Sequence, residues 1–409
     1  MRSILVTGLD IGTTKTCAVI AELSADPRER NDLKILGVGQ APTSGMRQVV
    51  THIEETTESV SAALKEAELM AGVVVDRAYV GIAGDHIHGC VSPGMVAVTD
   101  EEVTLGDLER VHKVARTIAL PPDREMLHAI PQEYIVDHQG GIKDPIGMAG
   151  VRLEAELYLV TCDAAAAENV RKAVQRAGYR VQELVLEPLA AARAVLTEDE
   201  KEVGVAMVEM GAGTTKIAAY YEGEIRHVVI LPMGGSTVTS DLVKGLSVPF
   251  AEARRAKEQY GVAFAQLVDP QETVELPGPS PGQKRHVARE LIAHIVEQRL
   301  DETLCLVHRE IEEQGLVDRL GAGIVLTGGA SSLHGAVELA QQIFAAPVRA
   351  GVPGEGLTGL ADSVGRPKFA TAAGLAMHGA DRYRETGQGA TTVASGLYSK
   401  LGSWLKEFF

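Results

Sequence analysis

Basic side chains are in deficit: 39 Lys and Arg stand against 55 Asp and Glu, for a formal net charge of -16. Neutralising a nucleic-acid backbone takes a surplus of Lys and Arg, so broad non-specific binding is excluded and no nucleic-acid partner is expected. Cysteine is scarce, and the four present, Cys17, Cys90, Cys162 and Cys305, lie at least 72 positions apart. No CxxC pair points to zinc and no dense framework to a secreted scaffold, so a reducing cytoplasm is the expected compartment. Long apolar runs are missing too. No stretch approaches the roughly 18 residues of a spanning helix, and Asp10 interrupts the N-terminal apolar run too early for a signal peptide. There is no GxxxxGK[ST] loop, and the one GxGxxG, Gly354 to Gly359, follows no strand and is read as a loop. His86, His88 and Cys90 lie in a Gly-flanked turn without a fourth ligand, which argues against a metal there.

What is present is a globular composition, 45% hydrophobic and 23% charged, on 409 residues, enough for two to three domains. Residues 6–16, VTGLDIGTTKT, are echoed by residues 205–217, VAMVEMGAGTTKI, with their acids Asp10 and Glu209 199 positions apart. Each copy is a β-rich run, an acid at the strand end, a glycine turn and Thr-Thr-Lys leading into a second β-rich run. A third run follows each, at 33–40 and 224–231, and helical patterns come next. The simplest account is two similar α/β domains facing each other.

Such a pair suits phosphate. Glycine turns let backbone N–H groups approach phosphate oxygens, Thr13, Thr14, Thr214 and Lys15 add donors, and two facing acids can hold a hydrated Mg²⁺. A buried-strand pattern at 322–335, AGIVLTGGASSLHG, ends in Gly328 and Gly329 before a helix, where N–H groups suit ribose or phosphate. A plain strand-to-helix turn is the alternative.

The last fourteen residues, GLYSKLGSWLKEFF, hold four of the sixteen aromatic residues and the only Trp. At helical spacing Leu397, Leu401, Trp404, Leu405 and Phe408 share one face, with Lys400 and Lys406 opposite. A helix this short spans about 20 Å, too little to cross a bilayer but suited to lie in its interface. A helix docked on its own protein is the alternative. Burying four or five large apolar side chains contributes about 5–10 kcal/mol at most, so single copies would bind weakly and a polymer would gain by avidity.

LDIGTTKT at 9–16, VEMGAGTTK at 208–216 and GIVLTGGAS at 323–331 resemble the two phosphate motifs and the adenosine motif of the actin, Hsp70 and sugar kinase superfamily. LEPLAAARAVL at 186–196 and FATAAGLAMHG at 369–379 are similar to its two connecting helices. The text between resembles the bacterial cell-division FtsA family over nearly the whole chain: GIAGDHIHG (81–89), AIPQEYIVD (129–137), GVRLEAELYLVTC (150–162), LTEDEKEVGV (196–205) and VTSDLVKGL (238–246).

The resemblance implies an α/β actin-like ATPase fold of two duplicated RNase H-like domains with an inserted FtsA-type subdomain. Domain I would span 1–84 and 164–195, the insertion 85–163, and domain II 196–380 with a smaller lobe near 241–300. A flexible linker at 381–395 and an amphipathic membrane-targeting helix at 396–409 would follow. ATP would contact Asp10, Gly12, Thr13, Thr14, Lys15, Glu209, Gly211, Gly213, Thr214, Gly234, Gly235, Lys257, Gly328, Gly329 and Ala330. Asp10 and Glu209 would place Mg²⁺, and Glu187 would lie near the attacking water. The second motif usually carries Asp, so Glu209, one methylene longer, predicts slow hydrolysis, with ATP acting mainly as a conformational ligand.

Partners implied are the acidic C-terminal tail of the tubulin-like FtsZ, further copies in a filament, membrane lipids and other division proteins. The location implied is the cytoplasmic face of the membrane at the division site. In the small lobe Lys284, Arg285, His286 and Arg289 form a basic run, followed by Arg299 on an amphipathic helix. Arg285 and Arg299 match the tail-binding surface; a solvated helix face is the alternative. A soluble small-molecule kinase and a pilus-assembly relative share the fold and stay open. An Hsp70-like chaperone does not, because only 29 residues follow Ala380.

Overall fold

The computed structural model describes residues 2–23, 32–278 and 283–394. The chain begins as a meander, β1 (Arg2–Ile11), β2 (Lys15–Leu23) and β3 (Leu33–Pro42), followed by α1 (Ile53–Ala71) and β4 (Arg77–Ile82). Next come β5 (His88–Ala97), α2 (Leu105–Arg116), β6 (Arg124–Val136), β7 (Gln139–Ile142) and β8 (Arg152–Asp163). Then α3 (Ala164–Arg176), β9 (Arg180–Leu186), α4 (Glu187–Val195) and α5 (Glu198–Val203) lead to the second half. That half opens with a second meander, β10 (Val205–Met210), β11 (Thr215–Tyr221) and β12 (Glu224–Leu231), before α6 (Gly235–Leu246) and α7 (Phe250–Tyr260). A hairpin of β13 (Thr273–Pro277) and β14 (Lys284–Ala288) precedes the long α8 (Arg289–Glu313), β15 (Gly323–Thr327), α9 (Ala336–Phe344) and β16 (Val348–Ala350). The short β17 (Leu357–Gly359), α10 (Ala370–Thr386) and β18 (Thr391–Ala394) complete the described chain.

The internal echo becomes two sheets of one topology. One runs β3-β2-β1-β4-β9, the other β12-β11-β10-β15-β16. In each, the first strand pairs antiparallel with its successor and parallel with a strand reached through a helix. Strand β10, VAMVEM, is buried at every position, as expected of a central strand covered on both faces. Helix α1 buries Val60, Ala63, Leu64 and Ala67, a stripe at helical spacing, and ends at Gly72 in the left-handed region (φ +67°).

The sheets share a core through α4 and α10. Ala191, Ala192, Ala372, Ala373 and Ala376 bury their methyl groups together with Val6 and Val19 of one sheet and Val205 and Met207 of the other. Small side chains on both helices let the two halves come close. The block between β4 and α3 forms a separate four-stranded sheet, β5-β8-β6-β7, with α2 held at its start by a capping box of Thr104 and Asp107.

Three sequence expectations change. The expected linker at 381–395 is, as far as Ala394, the end of α10 and then β18, which pairs antiparallel with Arg2–Leu5 of β1. Half of the GxGxxG read as a loop is β17, an edge strand parallel to β3. The basic run at 284–289 is not a helix face: Lys284–Ala288 form a hairpin strand, and α8 starts at Arg289. The terminal segment with Leu397, Lys400, Leu401, Trp404, Leu405, Lys406 and Phe408 lies outside the described residues. Among the described residues, no helix is long and apolar enough to cross a membrane.

Candidate functional site

The turns after β1 and β10 face each other across a cleft between the two sheets. Each closes the same way: the Gly12 N–H donates to the Lys15 carbonyl at 3.0 Å, and the Gly211 N–H to the Thr214 carbonyl at 2.9 Å. They come so close that a Cβ on Gly213 would sit 2.5 Å from the Thr13 hydroxyl. This register corrects the echo. Lys15 is the counterpart of Thr214, not of Lys216, because acid and lysine are five positions apart in the first copy and seven in the second. Lys216 lies directly across from Glu209, as Cys17 lies across from Asp10, so Glu209 and Lys216 share one face of the sheet.

The cleft encloses a cavity of about 830 Å³, within the usual range for small-molecule sites. Asp10, Gly12, Thr13, Thr14, Lys15, Glu187, Glu209, Gly211, Gly213, Thr214, Gly235, Lys257, Gly328, Gly329 and Ala330 all line it. Gly234 does not. It packs behind the second turn, where a Cβ would meet the Gly211 carbonyl oxygen at 2.6 Å. The first N–H groups of α6 are spoken for as well, with Gly235 and Ser236 donating to the carbonyls of Gly211 and Ala212. After Gly328 and Gly329 comes a 3-10 turn, Ala330–Ser332, and α9 starts only at Ala336.

Sequence reasoning missed Lys216, Arg47, Arg254, Glu258, Arg366, Lys368 and Thr371. The first six line the cavity, which therefore carries seven basic side chains against four acidic ones in a chain of net negative charge. Counting positions from acid to lysine in each copy would have singled out Lys216. Lys15 donates to the Lys368 carbonyl at 2.5 Å and stands over the Phe369 ring. Lys257 donates to the Gly235 carbonyl at 2.7 Å and to the Thr239 hydroxyl at 2.9 Å, and burial lowers its pKa.

The floor of the cleft is ionic and buried. Lys216 Nζ lies 2.5 Å from Glu187 Oε2 and 3.1 Å from Glu209 Oε2. Thr371, in the first turn of α10, donates its hydroxyl to Glu209 Oε1 at 2.5 Å. Glu187 starts α4 beside Pro188, and Gly81 makes room for it: a Cβ there would sit 2.8 Å from Glu187 Cγ. Burial pushes Glu187 up to about 7 against the pull of Lys216, and holds Asp10 above the usual carboxylate range against Lys15 and Lys216. Burial works to lower the Lys216 ammonium, but Glu187, Glu209 and Asp10 together raise it above its ordinary value.

Mg²⁺ coordinated directly by both Asp10 and Glu209, without intervening water, does not fit these residues. The place beside Glu209 is taken by the Lys216 ammonium, and both Glu209 oxygens already accept hydrogen bonds. No group of three acidic, His or Cys side chains able to hold a metal occurs among the described residues.

Fold and cleft define the class of actin-like proteins, and comparisons of structure agree. The chain superposes on a PilM–PilN type IV pilus biogenesis complex with a TM-score of 0.63 at 17% identity, covering 92% of this chain and 98% of that one. It superposes on Spiroplasma citri MreB5 bound to AMPPNP with a TM-score of 0.55 at 12% identity, covering 94% and 99%. The family's sequence profile, "Cell division protein FtsA", matches residues 206–374, and that of the "SHS2 domain inserted in FTSA" matches residues 84–161. The cell division protein FtsA of Pseudomonas aeruginosa is 44% identical over 92% of this chain and 89% of its own length; that of Neisseria meningitidis serogroup B is 40% identical over 98% of each. The chain belongs to the FtsA family of cell division proteins.

Proposed function

We propose that this protein binds ATP in the cleft, assembles with further copies, attaches to the cytoplasmic membrane through its last fourteen residues, and holds the C-terminal tail of FtsZ on its small lobe. Other division proteins would gather on the same filament at the division site. The observation that carries the nucleotide reading is the cleft itself: two glycine turns face each other in a cavity with a local excess of basic side chains, in an acidic chain. Any Mg²⁺ would arrive on the phosphates of ATP rather than be coordinated directly by both Asp10 and Glu209.

Hydrolysis would be slow. Glu187 is the candidate for positioning the attacking water, yet its Oε2 is engaged by Lys216 at 2.5 Å. The kinase alternative offers no use for the terminal amphipathic pattern, and the 38–44% identical relatives are cell division proteins, not pilus proteins.

The test is co-sedimentation with anionic vesicles in the presence of ATP, comparing the full chain with one ending at Ser395. That end point retains β18 and its pairing with β1, so it removes the terminal segment without uncovering Arg2–Leu5 of β1. Pelleting of the full chain alone is expected. Equal solubility of both would overturn the membrane reading and bring the kinase alternative forward.

A further inference from the structure

We propose that Lys216 is a built-in cation on the floor of the cleft, standing where a divalent metal would otherwise balance the acids, so that this site binds a nucleoside triphosphate without requiring Mg²⁺. The inference rests on the nucleotide reading above and concerns the same cleft.

Three carboxylates, of Asp10, Glu187 and Glu209, are buried here, each less than a tenth exposed, and an uncompensated cluster of that kind is costly. Lys216 is buried among them, at 6% exposure, and touches Glu187 and Glu209 directly. Its position is dictated by the backbone: the register of β10 with β11 sets Lys216 opposite Glu209, and the neighbouring residues Thr215 and Ile217 are fully buried. The ammonium therefore cannot leave without exchanging a hydrogen-bonded ion pair for an unpaired one.

A divalent ion needs oxygen ligands in near-octahedral order, and each Glu209 oxygen already accepts one hydrogen bond, from Lys216 and from Thr371, which crowds direct coordination there. An ion beside Glu187 or Glu209 would also stand next to the buried ammonium, where charge repulsion is poorly screened. Neutralising the polyphosphate falls instead to side chains, with Lys15, Lys257 and Lys368 lining the same cavity.

The experiment is a fluorescence titration of the full chain with a ribose-labelled ATP, in EDTA and in excess MgCl2. The expected dissociation constants agree within about threefold. Lys216→Met should weaken binding in EDTA by about tenfold or more relative to MgCl2, because the acids then lack their cation, while Lys216→Arg should keep the indifference to metal. Binding by the natural protein that collapses in EDTA and returns with MgCl2 overturns this inference alone. Absence of binding in both buffers overturns the nucleotide reading, and this inference with it. Should Lys216→Met fail to fold, the comparison on the natural protein decides by itself.

Discussion

Gly374 of α10 crosses α4 at Ala190 so closely that a Cβ on the glycine would lie 1.7 Å from the Ala190 carbonyl oxygen. Both helices contribute alanines to the shared core, and beside this crossing Ala190 packs with Leu375, Tyr79 and Val185. A methyl group there cannot be absorbed by a flexible side chain, because it meets backbone. Gly374→Ala is expected to force the helices apart and cost about 1–3 kcal/mol, read as a lower urea midpoint with an unchanged slope. An unshifted midpoint would mean that the helices separate freely and that the crossing does not fix the angle between the halves.

Thr371 lies one turn earlier on α10 and ties that helix to Glu209 of the second sheet. Thr371→Val keeps the shape and deletes the hydroxyl, leaving a buried carboxylate oxygen without its donor. The expected loss is about 1–3 kcal/mol, and a thermal melt of the two proteins side by side measures it. Thr371→Ser, which restores the donor, should recover most of the loss. Equal melting of natural and Val proteins would show that Glu209 is satisfied by Lys216 alone.

How far the sequence carried differs between backbone and side chains. The paired meanders, the acids at the strand ends and the Ala-rich connecting helices were legible because each is a local pattern repeated in the chain. The ionic floor was not. Thr-Thr-Lys occurs in both copies, and only strand pairing shows that Lys15 opens β2 one residue before its pairing with β1 begins, while Lys216 sits across from an acid. Thr371 is joined to Glu209 across 162 positions, which no local pattern reports. The segment at 387–394 reads as polar linker because β18 is a short strand whose place comes from the edge of β1, not from its own composition. Gly234 shows the same limit: glycine before a helix reads as a phosphate contact, and the close packing of this one on Gly211 is visible only in the fold.

His128 gives a pH dependence with a definite sign. Its Nε2 accepts the Leu186 N–H at 2.9 Å, and burial lowers its pKa from 6.5 to about 4, with Glu183 working against this and His378 and Arg382 with it. The unfolded chain therefore takes up a proton below pH 6.5 that the folded chain refuses until about pH 4, so stability falls as pH drops through that window. Because the ring also faces a cavity of about 350 Å³, solvent tempers the effect to about 1–2 kcal/mol. Urea midpoints at both ends of the window should fall less in His128→Gln than in the natural protein. Parallel falls in both would place the acid sensitivity elsewhere.

The two arginines expected to receive an acidic tail are already engaged within the fold. Arg299 of α8 donates to Asp241 of α6 at 2.5 Å and also pairs with Glu302, while Arg285 of β14 donates to the Leu246 carbonyl. Lys284 and Arg289 pair with Glu275 and Glu272. An acidic peptide binding here must therefore displace Asp241 and Glu302 or share the guanidinium with them, and its net gain from each half-exposed ion pair is small. Apolar anchors on the peptide would then supply most of the affinity, with charge deciding orientation and salt sensitivity. Asp241→Asn frees one side of the Arg299 fork and is expected to tighten binding of a synthetic FtsZ-tail peptide by about threefold, whereas Arg299→Glu should weaken it by about tenfold or more. Fluorescence anisotropy of the labelled peptide reads both. An Arg299→Glu protein that binds the tail as well as the natural one would remove Arg299 from the surface, and tightening in Asp241→Asn without any loss in Arg299→Glu would point to Arg285 or to general charge.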